Sequence, residues 1–295
     1  MGTPFISLLE PSKLEDYDRT KPHDQQPGPV AKAFLDAMAV REAVFVDEQR
    51  MPLEYEYDED DPRSCHWVVY ASVSHVVELE QVDPATNIIV RPRRSETRTV
   101  PIGTMRIVPF PTRPTPSPTA GPRDPARQRD HLHHPFGIDI SISSTRSRRP
   151  RPRRRRHHPS RCRDPAPYAQ DRATTFHDGQ EPYLKVGRLA VLPAYRGRHI
   201  SGQLWTAARR WLETHPRYFD PSVTERGMDA LGAEQASEIP RWGGLVCAHA
   251  QAAAVKTYGR WGFRVDEVMG HWYEEGVPHV GMFLRLDTKN VPPQV

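Results

Sequence analysis

The sequence predicts a mixed α/β domain, a sheet with helices on its faces, interrupted by one long insertion. Three observations carry this. Apolar runs of strand length (CHWVVYASV, PIGTMRIV, YLKVGRLAV, GLVCAHA) alternate with helix-patterned segments. Between Pro109 and about Gln180 no periodicity is sustained, and Pro, Arg, His, Ser and Thr dominate. Order then returns abruptly at Tyr183.

The elements follow in order. Residues 1–28 are polar and contain proline, which predicts a tail or an irregular first strand. From Val30, the spacing of Phe34, Ala37, Met38, Arg41, Val44 and Phe45 marks an amphipathic helix that ends near Gln49, before Pro52. An acidic loop, Glu54 to Pro62, leads to a strand from about His66 to Val73, then a charged connection and a second strand, Pro101 to Val108. Residues 109–180 cannot bury enough apolar surface to offset the entropy of ordering, so they are expected to be a disordered insertion. Tyr183 to Val191 is apolar on both faces toward its end, as a central strand requires. A turn follows, then a helix with Ile200, Leu204, Ala207, Ala208, Trp211 and Leu212 on one face, stopped by Pro216. Gly244 to Ala250 is a strand, and QAAAVKTYGRW a helix closed by Gly262. FRVDEVMG and HVGMFLRL are expected as closing strands. The domain therefore comprises residues 29–108 and 181–288.

The formal charge of +4 misdescribes this domain. Arg146 to Arg163 holds ten arginines and no acid, so the remaining chain carries +4 minus 10, or −6. No run of about 18 apolar residues exists, so no membrane span is expected. The first residues lack a basic and apolar leader, and after Gly2 the place of a myristoylation Ser or Thr holds Ile6. Cys65, Cys162 and Cys247 are scattered, with no metal-ligand spacing, which points to a reducing, cytoplasmic location; the Arg-rich tract alternatively suits nuclear import.

The segment VGRLAVLPAYRGRHISGQL is the most informative. A buried strand runs into a Gly- and Arg-bearing turn that opens a helix. Backbone N–H groups at such a turn bind phosphate, and Arg196 and Arg198 add guanidinium forks for pyrophosphate oxygens. An ordinary turn with surface arginines is the plain alternative. The segment carries neither a GxxxxGK[ST] phosphate loop nor a G-x-G-x-x-G dinucleotide fingerprint.

The same segment resembles the signature of the GNAT N-acetyltransferase superfamily, a strand, then Q/R-x-x-G-x-G/A, then a helix, with Arg196 at the first motif position. VREAVFVDEQRMPLEYEYDEDD is similar to the first helix and acidic loop of its ElaA-like branch, and HAQAAAVKTYGRWGFRVDEVMGHWYEEGVPHVGMFLRL to that branch's C-terminal part, including Y-x-x-x-G-F. Where the motif has glycines, this chain has His199 and Ser201, flanked by Gly197 and Gly202. The resemblance implies a mostly antiparallel sheet and transfer of an acetyl group from acetyl-CoA to a small-molecule amine, for which an amino sugar phosphate such as glucosamine 6-phosphate is one acceptor. It also implies that Leu189, Ala190 and Val191 hold the pantetheine arm, and that amides of Arg196, Gly197, Arg198, His199, Ile200, Ser201 and Gly202 cradle the pyrophosphate. Tyr258 matches the tyrosine that protonates the leaving thiolate, a phenol with pKa about 10 serving a thiol of about 8.5 or above.

A neutral amine must attack the thioester, so a base is needed. Glu48, Glu54, Glu56 and Asp58 lie where the acceptor-facing helix and loop belong, with Glu48 the chosen carboxylate, and an acidic loop there would also attract a cationic amine. His249, expected near the split of the sheet, is the leading imidazole, and His279 the alternative. No metal is expected, since His131 to His134 and His157 with His158 lie in low-complexity sequence. The Arg tract lacks interleaved aromatics and a DNA-binding motif, so nucleic acid is not the expected partner. A homodimer is compatible with the reading. The rival is a catalytically weakened binding protein of the same fold, its Arg-rich insertion taking nucleic acid or another acidic partner.

Overall fold

A computed structural model describes residues 4–110, 171–220, 235 and 239–288. The first half holds β1 (Phe5–Leu9), α1 (Lys32–Arg41), β2 (Cys65–Glu78), β3 (Gln81–Val82), β4 (Ile89–Arg91) and β5 (Arg94–Val108). The second holds β6 (Leu184–Val191), α2 (Ile200–Thr214), β7 (Leu245–Gln251), α3 (Val255–Arg260), β8 (Arg264–Val265), β9 (His271–Glu274) and β10 (Val277–Arg285). The large sheet runs β1-β2-β5-β6-β7-β10-β8, with β9 also on β10. Its pairings are antiparallel except β6 with β7. The mixed α/β class with a mostly antiparallel sheet is therefore the observed fold.

Strand alternation gives the sheet two unlike faces. One face presents Trp67, Val69, Met105, Ile107, Leu184, Val186, Val246 and Ala248 to Ile200, Leu204, Trp205 and Leu212 of α2 and Tyr258 of α3. The apolar stripe of α2 is why that helix forms here, and each such side chain contributes about 1.5–3 kcal/mol on burial. The other face carries His66, Val68, Tyr70, Thr104, Arg106 and Lys185, with α1 packed across β2, β5 and β6. Beyond Arg41, α1 continues in wide π-type turns through Glu42–Glu48.

Four stretches differ from their sequence-based description. Residues 5–9 form an edge strand on β2, and Leu14 and Tyr17 pack with Phe34, so the N-terminal stretch joins the core. Of the two sequence-based alternatives, tail or first strand, residues 5–9 take the strand. The charged connection after Val73 is instead the far end of a long β2–β5 hairpin, tipped by the β3–β4 ribbon; its two faces are both exposed, so no apolar alternation marks it. Residues 171–180, placed with the insertion, are folded onto the domain: the backbone N–H groups of Thr175 and Phe176 donate to Asp266, and His177 is buried against Tyr183 and Phe283. Of FRVDEVMG only Arg264–Val265 is strand. The Arg-rich tract, Cys162 and the histidines of residues 131–134 and 157–158 lie outside the described residues. Among the described residues no helix is long and apolar enough to cross a membrane.

Candidate active site at the divergence of β6 and β7

Parallel pairing between β6 and β7 runs only from Leu184↔Val246 to Val186↔Ala248. Both strands continue, to Val191 and Gln251, without pairing to each other. A bulge in β6 begins this divergence: Arg188 has φ +48°, and two residues, Arg188 and Leu189, oppose Met105 between the pairs Arg106↔Gly187 and Thr104↔Ala190. The edge of β6 from Gly187 to Val191 that faces β7 thus has no strand partner, and Leu189, Ala190 and Val191 all lie on it.

The strand leads directly to the phosphate-type turn. Leu192 N–H bonds Ile102 O at 2.9 Å, a short 3-10 turn spans Pro193–Tyr195, and α2 begins at Ile200. Gly197 has φ +75° and His199 φ +59°, so both sit in the left-handed region. This explains the glycine of the motif at position 199: a side chain there is strained, although His tolerates it better than most. His199 offers no side-chain cap to the helix. The first N–H groups of α2, from Ile200, Ser201 and Gly202, therefore remain available to an anion. A groove of about 870 Å³ opens beside them, lined by His199, Gly202, Gln203, Trp211 and Trp261. It lies along α2, away from the β6–β7 divergence.

Arg196 is not a free cation. It bonds Val191 O at 3.0 Å and both carboxylate oxygens of Glu48, at 2.7 and 2.5 Å. Glu48, a candidate base, is accordingly held below the usual carboxylate range by the Arg196 guanidinium, at the turn and not over the divergence. Arg198 lies 5.9 Å from the Tyr195 ring.

The acidic loop is likewise tied. Arg41, fully buried, bonds Glu56 at 2.6 Å and Asp61 at 2.7 Å, as well as the Glu56 carbonyl. Arg106 bonds Asp58 at 2.7 and 2.8 Å and Asp61 at 2.6 Å, and Arg188 reaches Asp58 at 3.1 Å. Burial would raise both aspartates, but Arg106 and Arg41, joined by Arg188 at Asp58, hold them well below the usual carboxylate range. Glu56 and Asp58 are thus counter-ions that clamp the loop over β5 and β6, with no spare charge to draw in an amine. Glu54 is exposed, and its carbonyl accepts from Arg19.

His249 is the sequence candidate that stands at the divergence. It follows Ala248, the last paired residue, and its side chain is 8% exposed, on the α1 side of the sheet. Nδ1 is 3.4 Å from Glu274 Oε1 but too misaligned to hydrogen-bond, and Nε2 has no partner among the described residues. Burial, reinforced by the nearby Lys185 charge, pushes its pKa down to about 4. The ring is neutral at pH 7. Trp272 packs edge-on to it at 4.9 Å and donates its indole N–H to Glu274 at 2.7 Å. His279 Nδ1 donates to Val277 O at 2.9 Å, with Nε2 3.8 Å from Glu274. Gln49, after the last turn of the α1 extension, is bonded to Gln251 at the end of β7, at 3.0 Å.

Tyr258 lies on the other side of β7, 4% exposed among Trp261 and Phe263, with ring centroids at 5.2 and 5.3 Å. Burial raises its pKa above the ordinary phenol range, so it stays protonated. Its neighbours are those of a core aromatic.

Sequence reasoning missed Lys185, Arg188 and Glu274. Glu274 lay inside the EEGVPH run; Lys185 was signalled only by being a charge between the buried Leu184 and Val186. Among the described residues no group of three His, Cys, Asp or Glu side chains could hold a metal ion.

Solved structures similar to the chain include these three. A candidate N-acetyltransferase from Lactobacillus plantarum is 18% identical, with 97% of this chain and 99% of that one covered at a TM-score of 0.41. An acyl-CoA N-acyltransferase from Pseudomonas aeruginosa is 14% identical (95% and 99% covered, TM-score 0.40). Escherichia coli ElaA is 13% identical (95% and 99% covered, TM-score 0.40). No protein-family model matches the chain, and no curated protein matches it.

Proposed function

We propose that this chain is an acetyl-CoA-dependent N-acetyltransferase acting on the amine of a small molecule. The observation that carries the reading is the divergence of β6 and β7, whose open strand edge runs into a turn with unsatisfied N–H groups. An extended arm with amides at hydrogen-bonding spacing, ending in a pyrophosphate, suits both halves: Leu189, Ala190 and Val191 for the arm, Arg196 to Gly202 for the phosphates.

In this reading the thioester carbonyl lies at the divergence, beside His249. The amine attacks the carbonyl carbon, forming the C–N bond and a tetrahedral oxyanion. The ammonium of that adduct is much more acidic than a free ammonium, so a weak base such as neutral His249 can accept its proton through Nε2. Collapse breaks the C–S bond, and the thiolate takes a proton. Tyr258, kept protonated by burial, is assigned that donation from the opposite side of β7. Glu48 is assigned to the turn, as the ion-pair partner of Arg196 that a bound pyrophosphate displaces.

Thermal-shift titration tests the reading. Acetyl-CoA at millimolar concentration should raise the melting temperature, because a ligand of the native state stabilises by mass action, and amines should then release free thiol. No stabilisation would overturn it.

A further inference from the structure

Lys185 is a cation whose attracting carboxylates, Glu274 and Asp60, form no ion pair with it. It lies in β6 between Val108 of β5 and Cys247 of β7, one strand step from His249 and on the same face. It makes no hydrogen bond or ion pair with a described residue, while Arg41, Arg106 and Arg188 are each held by carboxylates of the acidic loop. Burial lowers its pKa, against the pull of Glu274. Next along the same face is Gly187. A Cβ built there meets nothing within 4 Å. Open space therefore stands over Gly187, with the Lys185 stem at one end, and His249, its Nε2 unpartnered, across the divergence.

We infer that this space receives the acetyl acceptor, and that Lys185 selects acceptors whose scaffold bears a carboxylate, as an amino acid does. This rests on the acetyltransferase reading. A half-buried ammonium with no bonded carboxylate has its hydrogen-bond donors free for an anionic ligand group. One lysine matches one negative charge. A dianion such as a phosphate monoester ordinarily recruits several cations, and Arg41, Arg106 and Arg188 are already engaged by carboxylates. An amine on the same scaffold then points along β6 toward His249 and the thioester.

The test compares acceptor pairs that differ only in the carboxylate, β-alanine against ethylamine and phenylalanine against phenethylamine, with the full chain and acetyl-CoA. Wild type should favour the carboxylated member in kcat/KM by at least about tenfold. Lys185→Gln should collapse that ratio through KM, and Lys185→Arg should restore part of it. In parallel, N-acetyl-β-alanine and N-acetylphenylalanine should further stabilise the coenzyme A complex in thermal shift, and fail to do so with Lys185→Gln. No carboxylate preference in turnover, or product stabilisation that survives Lys185→Gln, would overturn the inference. So would absence of any product effect on a complex that does form. Failure of acetyl-CoA itself to stabilise the protein would instead overturn the acetyltransferase reading.

Discussion

Glu48 and Arg196 form a two-point ion pair, 2.7 and 2.5 Å, that joins the end of the α1 extension to the turn before α2. Both side chains are close to half exposed, 41% and 45%. A pyrophosphate at the turn would compete with Glu48 for the same guanidinium. Glu48→Gln removes the competing charge and should tighten coenzyme A several-fold in calorimetric titration, most visibly at low salt where exposed charges are least screened. Arg196→Ala should weaken it. If Glu48→Gln binds coenzyme A more weakly, the carboxylate helps the ligand and the competition is refuted.

His199 bears a second cost of the same turn. Its φ of +59° is a conformation L residues avoid and glycine adopts freely. His199→Gly should raise stability by about 0.5–1 kcal/mol, the loss of side-chain strain exceeding the added freedom of the unfolded chain. Urea denaturation checks the sign. A destabilised variant would mean that the imidazole makes compensating contacts that outweigh the strain.

Arg41 neutralises Glu56 and Asp61 at the centre of the loop clamp, and it is wholly buried. Removing one member of such a network strands the others as buried unpaired charges. Arg41→Met should therefore destabilise the fold by about 3–5 kcal/mol, well above the loss from an exposed ion pair. Chemical denaturation gives the number; a loss below about 1 kcal/mol would show that water reaches the carboxylates.

These three sites differ in how far the sequence revealed them. The turn was legible because its chemistry is local: Arg196, Gly197 and His199 lie within four residues, between a buried strand and an amphipathic helix. The neutralised loop was not, since Arg41, Arg106 and Arg188 come from a helix and two strands, and only the assembled sheet brings them to Glu56, Asp58 and Asp61. An acidic run in isolation looks solvated and attractive to cations. His249 was legible by position, at the end of a strand before a helix, whereas Lys185 was one charge within an apolar strand and drew no role. Only the register of β6 on β7 brings it to the face and the strand end that carry His249.

Acid stability offers the last check, and the sign follows from two histidines. His66, 1% exposed, has its pKa lowered to about 4 by burial, and His249 is pushed down to about 4 as well. An unfolded histidine titrates near 6.5. Between about pH 6.5 and 4 the unfolded chain takes up protons that the folded chain refuses, so stability falls as pH falls through that window. Each histidine contributes a slope of about 1.4 kcal/mol per pH unit there. Asp58 and Asp61, with lowered pKa values, are protonated first in the unfolded chain and extend the loss below about pH 4. His66 Nε2 lies 3.0 Å from Asp61 O, a bond in which the ring must donate to the carbonyl. Glutamine can keep that donor without titrating. His66→Gln should therefore reduce the slope between about pH 6.5 and 4 by close to half, measured by urea denaturation across the range. An unchanged slope in the variant would mean that His66 is protonated in the folded protein.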